Sequence, residues 1–132
     1  MSSGRIENTT TSLDAGTRET FKKIKQVDSF ERVLENLRKY PLKNTNFLLK
    51  YIFLEGVNDN EADIDGFYEI AKDIGGIIML CANLNTPYTD KMKDLALRIL
   101  KKAKAEGVRI NSHSAYLAPE DKKFIQESYA NA

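Results

Sequence analysis

A chain of 132 residues suits one domain and is too short for a complete eight-unit α/β barrel, which takes ~200 residues or more. Its 42% hydrophobic and 30% charged residues make an ordinary globular balance, unlike a disordered or fibrous chain. Lys and Arg number 20 against 19 Asp and Glu; a net charge of +1 argues against a main role in holding nucleic acid by phosphate neutralisation.

The predicted elements alternate strands with helices. Thr9–Leu13 is short and β-branched, and ends at a turn, Asp14-Ala15-Gly16-Thr17. Thr17 is placed to cap a helix with Glu19 in its first turn and Phe21 and Ile24 one turn apart. Asp28 reads as the start of a second helix, with Glu31 three residues on as in a capping box. Phe30, Val33, Leu34 and Leu37 form its apolar stripe, and Pro41 ends it. Phe47–Leu54 is apolar at nearly every position, Lys50 excepted, which predicts a strand covered on both faces.

The second half repeats the design. Asn60 is placed to cap a helix carrying Ile64, Phe67, Tyr68, Ala71 and Ile74, with Gly75 closing it. Ile77–Ala82 reads as a buried strand, and Asn83–Tyr88 as a polar turn. Thr89 then opens a long helix with Met92, Leu95, Ala96, Ile99, Leu100 and Ala103 on one face and Gly107 as its stop. Val108–Ile110 is a short fourth strand, and Pro119 sits in the first turn of a last helix holding Phe124 and Ile125. The expected fold is one α/β domain over residues 1–132: repeated βα units and a parallel sheet with right-handed crossovers. Four such strands make a small open sheet or a segment of a barrel.

Cysteine and histidine narrow the chemistry. Cys81 and His113 are each the sole residue of their kind, so one subunit holds no internal disulfide, thiolate cluster or Cys/His zinc site. The run Ile77–Ala82 is far below the ~20 residues that span a bilayer, and no membrane role is expected. Residues Met1–Glu7 hold no apolar h-region, so a cytoplasmic, reduced setting is the expectation.

Ligands of parallel α/β sheets sit at the C-terminal ends of the strands. There the first turn holds Ser12 and Asp14, two residues apart and on one side of an extended chain. Such a pair suits a diol such as a ribose, or else caps the strand end.

The stretch Ser12-Leu13-Asp14-Ala15-Gly16-Thr17-Arg18-Glu19-Thr20-Phe21, followed by Phe30-Glu31-Arg32-Val33-Leu34-Glu35-Asn36-Leu37, resembles the fourth βα unit of radical S-adenosylmethionine (radical SAM) enzymes. Lys50 through Glu61, reading KYIFLEGVNDNE, resembles the fifth. The likeness covers Ile6 to Ala82 closely and the remainder loosely. It implies the C-terminal half of a (β/α)6 partial TIM barrel, with Ser12 on the SAM ribose. Asp14 follows as a SAM-site residue or a loop anchor, and Asn58 as a position near the SAM methionine end or the substrate. The family's C-x3-C-x2-C motif and its Gly-Gly-Glu motif belong to earlier units and do not occur in this sequence. Three thiolates hold that family's 4Fe–4S cluster, and this chain has one cysteine. The resemblance therefore implies the SAM ribose side and part of a substrate pocket. Such a chain, an expressed fragment or a truncated gene product, is not catalytically competent alone. It is expected to associate with the missing barrel half or to form a homodimer through its first strand or inner sheet face. The alternative is a non-enzymatic α/β module that self-associates through sheet edges.

Other motifs have plainer readings. Glu61-x-Asp63-x-Asp65-Gly66 imitates the start of an EF-hand loop, but Lys72 stands where the closing Glu is required, so a helix face is the better account. His113, between two serines, reads as a surface residue or a proton-transfer group, and Cys81 as a small core residue. Lys101, Lys102 and Lys104 read as the wet face of their helix. Tyr88 and Tyr116 are expected on the loop rim, stacking on an adenine or lining a groove.

One outcome follows from the cysteine count. Purified alone, the chain should stay colourless after anaerobic reconstitution with iron and sulfide. A visible absorbance that scales with protein and survives Cys81→Ala would contradict this.

Overall fold

The computed structural model describes residues 7–39, 45–83, 86–111 and 117–132. Along the chain run β1 (Glu7–Ser12), α1 (Arg18–Lys25), α2 (Phe30–Lys39), β2 (Thr45–Phe53), α3 (Glu61–Ile74), β3 (Ile77–Ala82), α4 (Asp90–Glu106) and α5 (Pro119–Ala130).

Local chemistry sets most helix ends. The first amides of a helix lack partners within it, and a preceding Thr or Asn oxygen supplies one. Thr17 accepts from Thr20 N, Asn60 from Asp63 N and Thr89 from Met92 N, opening α1, α3 and α4 where the sequence predicts. Gly75 and Gly107 close α3 and α4 in the left-handed conformation, at φ 71° and 75°. Pro119 takes the first turn of α5.

The second helix departs from expectation. It begins at Phe30, with Val33 N bonded to Ser29 O, so Asp28 caps nothing. Its carboxylate instead takes a two-pronged hydrogen bond from Arg18 at 2.8 and 2.7 Å. That fork holds the Asp28 carboxyl below the ordinary carboxylate range. A tertiary partner has outcompeted a local one.

The sheet has order β1-β2-β3, all parallel, with Ser12 opposite Lys50 and Lys50 opposite Met79. One hydrophobic core joins Leu49, Tyr51, Phe53, Ile78, Leu80 and Ala82 of the sheet to buried residues of every helix, among them Phe21, Leu37, Phe67, Ile99 and Ile125. The helices therefore share one face. Along β2 burial alternates: Phe47, Leu49, Tyr51 and Phe53 are buried, whereas Leu48, Lys50 and Ile52 are half-exposed. The strand expected to be covered on both faces is fully covered on one. Apolar composition at every position hid the alternation that the packing imposes.

The fourth strand is also corrected. Val108–Ile110 contributes a single parallel bridge, Ile78 with Ile110, made by Ile78 N to Arg109 O at 3.0 Å and Asn111 N to Ile78 O at 2.8 Å. The described sheet is three-stranded.

The β1–α1 turn lies against α3 backbone to backbone. A Cβ at Gly16 would stand 1.9 Å from Asp63 O and 2.4 Å from Phe67 N, and one at Gly66 would stand 2.2 Å from Gly16 O. Neither neighbour is a side chain that can swing aside. Gly16→Ala and Gly66→Ala should each lower stability by ~1–3 kcal/mol or more in urea unfolding, as overpacking does. Unchanged midpoints would show that the turn can lift off α3.

Candidate functional site

The strand ends carry a continuous hydrogen-bonded group. Asp14 has φ 58°, a left-handed conformation that an Asp tolerates because its short side chain bonds locally. Buried, it accepts at Oδ1 from Ile52 N at 2.7 Å, and at Oδ2 from Ser12 Oγ at 2.6 Å and Lys25 Nζ at 3.4 Å. Its side chain thus ties the exit of β1 to the backbone of β2.

Asn58 completes the tie from the next turn. It is 0% exposed, and its Nδ2 donates to Asp14 O and Ile52 O, both at 2.8 Å. Its Oδ1 accepts from Leu54 N at 2.7 Å, and its carbonyl accepts from the Tyr51 hydroxyl at 2.6 Å. Burial, aided by the charges of Asp63, Asp14 and Asp59, pushes the Tyr51 phenol well above its ordinary range, so it stays a donor.

The structure thus brings Ser12, Asp14 and Asn58 into one group. Within it Ser12 alone is half-exposed, and its hydroxyl keeps acceptor capacity after donating to Asp14. The side-chain groups of Asn58 are all engaged with the backbone, so that amide acts as a brace between two turns.

Behind this group sits a second buried carboxylate that sequence reading assigned only to a calcium-like decoy. Asp63 Oδ1 accepts from Gly16 N, Thr17 N and Thr17 Oγ1 at 3.0, 3.0 and 2.9 Å. Its Oδ2 accepts from Thr20 Oγ1 at 2.7 Å and Asn60 Nδ2 at 2.9 Å. The other members of that motif have their own tasks. Asp65 takes a fork from Arg98 at 2.7 and 2.8 Å and a bond from Lys102 at 3.3 Å, and Gly66 packs against Gly16.

Further along the rim, Tyr88 corrects an expectation. It is buried at 6% exposure, edge-on to Phe53 at 5.1 Å, with its hydroxyl donated to Cys81 O at 3.2 Å. Its amide is bonded by the buried Asp121, which explains why a tyrosine read as a rim residue turns inward. Tyr116 and His113 lie outside the described residues. Cys81 is fully buried in β3. Of the basic run on α4, Lys102 lies 5.6 Å above the Tyr68 ring and Lys104 4.7 Å above the Tyr129 ring, so two of these lysines also cover aromatic surface.

Beside Asn58, a cleft of about 420 Å3 opens between the turns that follow β2 and β3. Phe53, Ala82 and Met92 line it from the core side, and Glu55 lines it from the turn. The sequence signals for this cleft were weak: Glu55 follows a strand end, and Met92 looks like any core residue.

Comparison with protein-family models, curated proteins and solved structures finds no match to this chain. Among the described residues, no helix is long and apolar enough to cross a membrane, and no group of three His, Cys, Asp or Glu side chains is placed to hold a metal ion.

Two outcomes test this architecture. Asp63→Asn keeps the shape but turns one acceptor oxygen into a donor, and should cost ~2–3 kcal/mol in urea unfolding. A wild-type midpoint would show that the threonines and turn amides find water instead. The second concerns acid. The Arg98 fork, helped by Lys102, lowers the Asp65 carboxyl below its ordinary value against a smaller burial effect. Its contribution is then present above the unfolded value of ~3.9 and is lost as pH falls through the lower folded one. Asp65→Asn should be less stable than wild type at neutral pH, and the gap should close in acid. A gap that stays constant with pH would remove the ion pair as its cause.

Proposed function

We propose that the chain is the C-terminal half of a radical SAM barrel, supplying the SAM ribose side and part of a substrate pocket. The observation that carries this reading is the Ser12 hydroxyl, half-exposed at the end of β1 and oriented by its bond to buried Asp14. It is supported by the succession of parallel βα units whose helices share one face, the arrangement from which a barrel segment is built. In this reading Ser12 contacts the ribose, while Asp14 and Asn58 act behind it as positioning residues.

The chain's own residues do not fit the family's 4Fe–4S cluster. Its single thiol, Cys81, is fully buried within β3, and three thiolates are needed. No cleavage of SAM is assigned to this chain alone, and its activity would depend on the half that carries the ligands.

Calorimetry with SAM tests the ribose assignment. Binding should be weak or absent for the isolated chain, and whatever remains should fall more in Ser12→Ala than in His113→Ala. Tight binding indifferent to Ser12 would overturn it. The in-frame coding sequence upstream offers the broader check: a C-x3-C-x2-C motif is expected there, and its absence would remove the enzyme reading.

A second reading is a non-enzymatic module that pairs with another copy. It is favoured by the position of β1 at the sheet edge and by the half-exposed apolar side chains of Leu48 and Ile52 on β2. Sedimentation at micromolar concentration should then give a two-fold dimer, the commonest closed symmetry. A monomer with a cooperative melt would exclude it.

A further inference from the structure

The cleft between the turns after β2 and β3 lies where parallel α/β sheets collect ligands, and its volume of about 420 Å3 falls within the ~300–1,000 Å3 common for small-molecule sites. Its apolar wall is firmly held. The Phe53 ring is fixed edge-on by Tyr51 at 5.3 Å and by Tyr88 at 5.1 Å, and Met92 is buried beside it. A wall of this kind is preorganised, so a ligand need not order it on binding.

The polar groups around the wall are mostly committed. Thr86 Oγ1 donates to Asn83 O, and Thr89 Oγ1 accepts from Met92 N as the cap of α4. Glu55 differs. Among the described residues it is the one charged side chain lining the cleft, it is exposed, and it makes no hydrogen bond or ion pair. The backbone beneath it is held by Val57 N and Asn58 N, which both bond Leu54 O, and by Gly56 N, which bonds the buried Asp59. Among the described residues, no Lys or Arg lines the cleft. The start of α4 would by itself favour an anion, but Thr89 occupies one of its amides and Asp90 stands in its first turn.

We propose that this cleft binds a small organic amine, its apolar body against Phe53 and Met92 and its ammonium group at the Glu55 carboxylate. The proposal rests on the cleft alone and is independent of the family reading.

Three probes of one shape separate charge from fit: 2-phenylethylamine, 2-phenylethanol and phenylacetate, titrated into the full 15N-labelled chain and followed by NMR. The amine should perturb the amides of residues 54–57 and 86–92. It should bind about three- to fivefold more tightly than the alcohol, the scale of an exposed ion pair, and phenylacetate should bind most weakly. Higher salt should narrow the preference. Glu55→Gln, at an exposed position, should abolish the difference between amine and alcohol while leaving weak apolar binding. Met92→Ser should weaken both together. An amine that binds no better than the alcohol, a preference that survives Glu55→Gln, tighter binding of phenylacetate, perturbations elsewhere, or no binding at millimolar probe would each overturn the proposal.

Discussion

The Asp63 carboxylate connects two helix starts that are far apart in sequence. It sits in the first turn of α3, where Asn60 already holds its amide, and its oxygens reach across to Gly16 N, Thr17 N and the hydroxyls of Thr17 and Thr20 at the start of α1. A negative charge near the N-terminal ends of two helices is favourable for both dipoles, and buried charge of this kind is tolerable because every oxygen is bonded. The contact has a steric precondition: the turn can approach only because Gly16 and Gly66 carry no Cβ. Electrostatics and the absence of two side chains act together, and the site at the strand ends is positioned by both.

That approach fixes the exit of β1, and the exit fixes Ser12. From Asp63 the chain of contacts runs through the turn to Asp14, then by Ile52 N and Asn58 to the end of β2. Glu55 then lies on a turn already pinned by Leu54 O and Asp59. The Ser12 hydroxyl and the Glu55 carboxylate therefore project from turns whose backbone is pinned by these hydrogen bonds.

Much of this was legible in the sequence because its signals are local. Thr17, Asn60 and Thr89 cap helices by reaching three residues ahead, and Gly75 and Gly107 end them. Long-range partners were not legible. Asp28 left its predicted capping role for Arg18, and Tyr88 turned inward because Asp121, thirty-three positions later, holds its amide. The site was half legible. Ser12 and Asp14 were found by spacing, but the full burial of Asn58 and the hub role of Asp63 depend on turns meeting in space. Val108–Ile110 failed for a different reason: strand propensity says what a segment tolerates, while pairing along one strand decides how much of it joins the sheet.

The one-sided helix layer has a consequence for how β2 tolerates change. Composition along this strand is nearly uniform, yet Leu49 is 0% exposed while its neighbour Leu48 is half-exposed. The hydrophobic content of the strand exceeds what the packing of this chain uses. A scan of polar replacements from position 47 to 53 would therefore read as an alternating barcode, damaging at odd positions and mild at even ones. Leu48 and Ile52 are thus the places where sequence drift costs the fold little, and where retention of an apolar side chain would have to be accounted for by something other than folding.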